Sequence, residues 1–218
     1  EAHQALKDAD WLIITLGSSF NYRLVNEGFA PVTNCHRAPA QWFQKHLLSI
    51  DEMIAKLDNA IHQTFHFNSK VNIIFTISPV RHIRDGVTEN NRSKGRLIEV
   101  VHHLVNKFDR LFYFPSYEIV IDVLRDYRFY DIDMVHPNYL ATDYVLQQFM
   151  QAYMSAETIA LNKELKSINI ARKHRTTHPQ TEAHQKFLQR YLQKVTQLQQ
   201  QHPHLNLADE IAYFTKSS

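Results

Sequence analysis

Three short, unbroken apolar runs constrain this chain more than any other feature: Trp11 to Leu16, Val71 to Ile77 and Leu111 to Phe114. Each is too short for a buried helix, is rich in β-branched or aromatic residues, and does not alternate with polar residues, so each reads as a strand buried on both faces. Longer stretches with helical periodicity lie between them. The first opens at Ser49, with Glu52 three residues on as a capping box, and carries Ile50, Met53, Ile54, Leu57 and Ile61. The second carries Leu97, Ile98, Val101, Leu104, Val105 and Phe108, with its cap expected at Asn90 or Ser93. Strand, helix, strand, helix, strand predicts a three-layer α/β domain on a parallel sheet. Ligands of such sheets gather at the carboxyl ends of the strands, which here are marked by Gly17-Ser18-Ser19, Ser78-Pro79 and Pro115.

The texture changes after residue 150. A helical stretch from Glu157 to Ile170, a polar break over 173–179 and a long helix from Gln180 to Gln201 predict a helical extension. The expected domains are therefore 1–150 and 151–218, and the C-terminal helices offer a surface for homo-oligomerisation. Lys and Arg number 24 against 22 Asp and Glu, a net charge of +2, which gives no electrostatic case for nucleic acid. The single cysteine, Cys35, cannot close an internal disulfide, so nothing requires an oxidising compartment and a cytoplasmic location is expected. No apolar run approaches the roughly 20 residues of a membrane span.

The most informative string is Asp133-Met134-Val135-His136-Pro137-Asn138, ahead of a helix opening near Asn138. An Asp three residues before a His at a loop-to-helix junction places both side chains on one rim. The carboxylate can then orient the imidazole while its other nitrogen acts as a general base. As a bare pattern this is weak, because it also describes a loop aspartate capping a helix beside a surface histidine. Wider motifs add specificity: Thr15-Leu16-Gly17, Asn34-Cys35-His36, Ser78-Pro79-Val80-Arg81-His82 with Asp85-Gly86, and Ser93-Lys94. They continue as Tyr113 to Glu118, Leu124 to Tyr130, and Asp133 to Pro137, with His178-Pro179 and Lys186-Phe187-Leu188 in the tail.

In order and spacing these motifs resemble the GSCFA family, a bacterial branch with an SGNH (GDSL-like) hydrolase fold. The resemblance implies a flavodoxin-like three-layer domain that uses a Ser-His-Asp triad, with His136 as base and Asp133 as its acid partner. It also implies that the nucleophilic serine belongs to a Gly-Ser-Cys-Phe-Ala block, which is absent from these 218 residues. With a first residue Glu1 in place of methionine, the chain is expected to be the later part of a catalytic domain, incomplete at its N-terminus. The turn Gly17-Ser18-Ser19 corresponds to a later block that helps form the oxyanion hole. Oxyanion or pocket lining, a structural turn and a nucleophilic Ser18 or Ser19 all remain open for it.

Asn34 is an alternative oxyanion donor and His36 a pocket residue, while Cys35 reads as an inert thiol more readily than as a nucleophile. Ser78, Arg81 and His82 follow a strand end and suit an acidic or oxygen-rich substrate, or a loop bonded to carbonyls. Arg125 and Arg128, with Asp126, Tyr127, Tyr130 and Glu118, read as a buried ion-pair network. Fourteen histidines raise a metal site, and Asp58, His62 and His66 share a helix face, but a solvated polar face explains them better. The expectation is an O-ester hydrolase or acyltransferase acting on a small-molecule or carbohydrate ester, with no cofactor and no metal. The rivals are a non-catalytic interaction domain and a histidine-rich metal-binding protein.

Overall fold

The computed structural model describes residues 1–32, 35, 37–174 and 181–216. Its elements run α1 (Ala2–Asp8), β1 (Trp11–Leu16), β2 (Phe20–Leu24), β3 (Ala30–Val32), β4 (Phe43–Leu47), α2 (Ile50–Phe67), β5 (Asn72–Ile77), α3 (Gly86–Lys107) and β6 (Leu111–Phe114). After β6 come α4 (Ser116–Glu118), continued by a π-helical stretch Ile119–Leu124, then α5 (Tyr139–Tyr153), α6 (Ala156–Lys173), α7 (Glu182–Gln201) and α8 (Ala208–Lys216). The chain is thus an α/β protein, mostly helical, built on a small parallel sheet. It divides into two compact units, Glu1–Gln148 and Phe149–Ser218.

All three apolar runs form strands and pair in parallel in the order β1-β5-β6. Leu16 lies opposite Ile77, and Thr76 opposite Phe114. Parallel neighbours need a long crossover, which α2 and α3 supply. Ile73, Phe75 and Ile77 of the central strand pack with Leu12, Ile14, Leu16, Leu111 and Tyr113 against apolar stripes of both helices, including Met53, Ile61, Leu97, Val101 and Leu104. On the opposite face of the outer strand β1, Trp11 and Ile13 remain about half exposed. The capping box at Ser49 is present in both directions: Glu52 N–H donates to Ser49 Oγ at 3.1 Å and Ser49 N–H to Glu52 Oε2 at 2.8 Å.

Two features differ from the sequence expectation. Between β1 and α2 the chain forms a second, antiparallel sheet in the order β3-β2-β4. Its signal was present in Phe20-Asn21-Tyr22-Arg23-Leu24, which alternates apolar and polar residues as a half-buried strand does. Helix α3 begins at Gly86, so Asn90 and Ser93 lie inside it and cap nothing. Both are buried, with Lys94 beside them, because these polar groups bond to loops at the strand ends instead of to the helix's own N–H groups.

The second unit has its own core, formed by Ile168 and Ala171 of α6, Leu188, Val195 and Leu198 of α7, and Leu207 and Phe214 around α8. Helix α7 is capped by Thr181, and α6 by Ser155. No described helix is long and apolar enough to cross a membrane.

Candidate functional site

The stretch from Asp126 to Asn138 is a self-bonded loop that ends in a helix cap. Tyr130 and Pro137 form a β-bridge, Asp131 N–H donates to the His136 carbonyl at 2.8 Å, and Met134 N–H returns to the Asp131 carbonyl at 2.8 Å. Met134 closes this turn in a left-handed conformation, φ +56, which a non-glycine residue adopts only when its surroundings demand it. Asn138 joins loop and helix. Its Oδ1 accepts the N–H groups of Leu140 and Ala141 at the start of α5, while its Nδ2 donates to the Arg128 carbonyl at 2.7 Å.

Within that frame Asp133 and His136 meet as their spacing predicts. Asp133 Oδ1 accepts two backbone N–H bonds, from Val135 at 2.9 Å and His136 at 3.0 Å, and Oδ2 lies 2.6 Å from His136 Nδ1. The backbone bond from His136, followed by the ring contact and the Val135 N–H, holds the Asp133 carboxyl down to about 2. A carboxylate can only accept, so in the neutral imidazole Nδ1 is the nitrogen that carries the proton and Nε2 the one with the lone pair. The imidazole is 59% exposed, and no described residue bonds to Nε2.

A second cluster forms at the carboxyl ends of β1 and β5, held by one face of α3. Asn90, Ser93 and Lys94 stand at i, i+3 and i+4 and so point the same way. Asn90 Oδ1 accepts His82 N–H at 3.0 Å. Ser93 Oγ accepts Ser19 N–H at 2.8 Å, and Ser19 Oγ contacts both the Ser93 carbonyl and its hydroxyl at 3.0 Å. Lys94 Nζ donates to the carbonyls of Gly17 at 2.7 Å and Ser78 at 2.6 Å, and His82 Nε2 lies 3.2 Å from the same Gly17 oxygen. Lys94 is 1% exposed, and burial alone pulls its ammonium down to about 8. These three helix residues were not read as site residues. Their signal is polar positions continuing the Leu97, Val101, Leu104 stripe toward the helix start.

Two adjoining clefts open here and share Arg81, His82 and Ile83. One, about 310 Å³, adds Val87, Asn90, Tyr117, Ile121 and Tyr127. The other, about 400 Å³, adds Ser18, Phe20, Tyr22, Lys45, Arg84 and Asp85. Asp133 and His136 line neither, and the link to them is Arg81. Its Nη1 donates to the Met134 carbonyl at 3.1 Å and its Nη2 to the Tyr130 hydroxyl at 3.2 Å, with the guanidinium 4.4 Å from the Tyr130 ring. The structure thus gathers Ser18, Arg81 and His82 at one cleft and joins Gly17 and Ser78 through Lys94. Ser19 is buried, its N–H and hydroxyl both taken by Ser93. Asn34 and His36 lie outside the described residues.

Other sequence readings resolve differently. Asp126 and Arg128 pair at 2.8 Å with the arginine side chain 71% exposed, so they form a surface ion pair beside a short 3-10 turn and not a buried network. Glu118 instead accepts the Tyr113 hydroxyl at 2.8 Å, and Tyr113 is pushed well above the usual phenol range by burial first and then by that carboxylate. Cys35 is a half-buried free thiol. His62 lies 3.5 Å from Asp58 and packs edge-on to Phe108. Among the described residues, no group of three or more His, Cys, Asp or Glu side chains is placed to hold a metal ion.

Fold and site define a small parallel α/β domain with a carboxylate–imidazole pair beside its strand ends, followed by a helical unit. The chain belongs to the GSCFA family, whose model matches residues 1–149, as the motifs led one to expect. The model of the GSCFA domain protein C-terminal domain matches residues 165–217. No curated protein and no solved structure matches the chain.

Proposed function

We propose that this protein is an SGNH-type O-ester hydrolase or acyltransferase in which Asp133 and His136 are the acid and base of a Ser-His-Asp triad. The observation that carries the reading is the 2.6 Å Asp133–His136 contact, with the carboxylate pinned by two backbone N–H groups and the imidazole Nε2 left free. A pair held this way fixes the tautomer and stabilises the imidazolium that forms when Nε2 takes a proton. The β1-β5-β6 sheet, with site residues beyond its carboxyl ends, suits the three-layer SGNH-like arrangement.

In the proposed reaction a serine Oγ attacks the ester carbonyl as its proton passes to His136 Nε2. The tetrahedral oxyanion is held by the Gly17 backbone N–H. Collapse breaks the C–O bond, and His136 returns the proton to the departing alcohol. Water, or a sugar hydroxyl in the transferase case, then attacks the acyl-serine with His136 again as base. The resemblance assigns the serine to a block outside these 218 residues. Ser18 is the alternative, and its hydroxyl contacts Ser93 Oγ at 3.3 Å instead of His136.

The test is hydrolysis of short p-nitrophenyl esters by the protein and its His136→Ala variant, with fluorophosphonate labelling to locate the reactive serine. A His136-dependent rate with one labelled serine is expected. Equal rates for the two proteins would overturn the reading.

A further inference from the structure

The larger cleft at the β1 end contains more positive charge than its own acid can balance. Four of its lining residues are charged: Lys45, Arg81, Arg84 and Asp85. Lys45 and Asp85 form an ion pair, and the same ammonium lies 4.1 Å from the Phe20 ring centre, so that pair is complete within itself. Arg81 bonds to two neutral oxygens, the Met134 carbonyl and the Tyr130 hydroxyl, which hold it in place without cancelling its charge. Arg84 has no hydrogen-bond or ion-pair partner among the described residues, although it stands in the cleft wall. Behind the wall Lys94 adds a third uncompensated cation, bonded only to carbonyls.

Three unbalanced cations at one place are notable in a chain whose net charge is only +2. Many of its other charged groups are paired, among them Arg23 with Glu52, Lys70 with Asp10, Arg92 with Glu89, and Lys194 with Glu164. A concave site lined by one sign of charge focuses its field on the cleft interior. Ser18 lines the same cleft, and its backbone N–H makes no hydrogen bond among the described residues. A backbone donor without a protein acceptor therefore accompanies the charge.

We propose that this cleft binds a doubly charged oxyanion, a phosphate ester or dicarboxylate group carried by the substrate, with Arg81 and Arg84 as its counter-charges and the Ser18 N–H as its donor. The double charge follows from the two guanidinium groups left without a carboxylate, and planar guanidinium forks suit such oxygens. The adjoining 310 Å³ cleft, with Val87, Ile121, Tyr117 and Tyr127 in its wall, accommodates the apolar part of the same molecule. This assignment names a substrate class for the ester-cleaving site and to that extent rests on that reading, but anion binding itself does not require turnover.

The experiment is an amide NMR titration with inorganic phosphate, malonate and acetate at constant ionic strength set by chloride. Arg84→Gln is the decisive variant, because Arg84 holds nothing in the fold. Arg92→Gln, on the exposed face of α3 and outside the cleft, is the control. Phosphate and malonate are expected to shift the Ser18 amide, with acetate weaker. Arg84→Gln should reduce affinity about tenfold, the size of one charge-assisted contact, while Arg92→Gln leaves it unchanged. No shift at Ser18, or equal effects of the two variants, would overturn the proposal. Anion binding without ester cleavage would keep this site and remove the hydrolase reading, and cleavage without anion binding would do the reverse.

Discussion

At the scale of single residues, Lys94 is a charged group held almost wholly out of water, 1% exposed. Its amine is buried between the Gly17 and Ser78 carbonyls, and burial lowers it from its ordinary 10.5 to about 8. The groups facing it are His82, which shares the Gly17 oxygen, and Tyr117, whose ring centre is 5.8 Å away. Among the described residues no carboxylate pairs with it. The unfolded chain holds this proton up to about 10.5 and the folded chain only to about 8, so between those values the unfolded state binds more protons and stability rises with pH. Below pH 8 the full cost of burying the ammonium is present. The neutral amine still has two N–H bonds, enough for both carbonyls. Lys94→Met removes the titration and orphans the Ser78 oxygen, at a cost of about 1–3 kcal/mol. Urea denaturation should therefore show the wild type gaining on Lys94→Met as pH rises from 7 to 9.5, and a constant gap would show that Lys94 is not depressed. Asp133 is the other informative residue. Asp133→Asn keeps an oxygen for the two backbone N–H groups but takes the charge from beside the imidazole. Ester turnover should fall by at least about 100-fold while the melting temperature changes little. Equal losses of both would make Asp133 a loop anchor only.

At the scale of elements, α3 carries the site more than any strand does. Its stripe is apolar from Leu97 onward, where it covers the sheet, and polar at Asn90, Ser93 and Lys94, where it runs past the strand ends. Ser93→Ala would strand the buried Ser19 N–H, costing about 1–3 kcal/mol, whereas Arg92→Ala, one residue away on the exposed face, should stay within about 0.5 kcal/mol. Chemical denaturation of the two variants measures the difference, and comparable losses would mean that the Ser19–Ser93 bonds contribute nothing net. This helix also shows what the sequence reveals and what it hides. The parallel strands were legible because each is a short unbroken apolar run, although only the central β5 is buried on both faces and β1 leaves Trp11 and Ile13 half exposed. The Ser49 cap was legible because its chemistry is local. Asp133 and His136 were legible because they stand only three positions apart. The Lys94 clamp was not, since its partners Gly17 and Ser78 lie 77 and 16 positions away, and only folding shows that the polar interruption points inward. Arg81 was legible as a candidate at a strand end, but its anchor at Met134, 53 residues on, was not.

At the scale of the whole molecule, the two compact units carry two apolar cores with no residue in common. One is centred on Phe75, Val100, Val101 and Leu104, and the other on Ile168, Leu188, Val195 and Phe214. The family match over residues 1–149 ends at this division, and the C-terminal match over 165–217 lies within the second unit. Separate cores predict separable losses. Phe214 is fully buried, stacks on Tyr191 at 5.7 Å and sits edge-on to Tyr213 at 5.1 Å, so Phe214→Ala should cost the second unit about 3–5 kcal/mol. Leu104, equally buried under the sheet, should cost the first unit about 2–5 kcal/mol when cut to Ala. Amide hydrogen exchange separates the two effects residue by residue. Phe214→Ala is expected to lower protection across α6 and α7 and leave the β5 amides as they were, with Leu104→Ala doing the opposite. If either variant lowers protection in both cores equally, the chain unfolds as one cooperative body. The site at the strand ends would then depend on the helical unit for its stability.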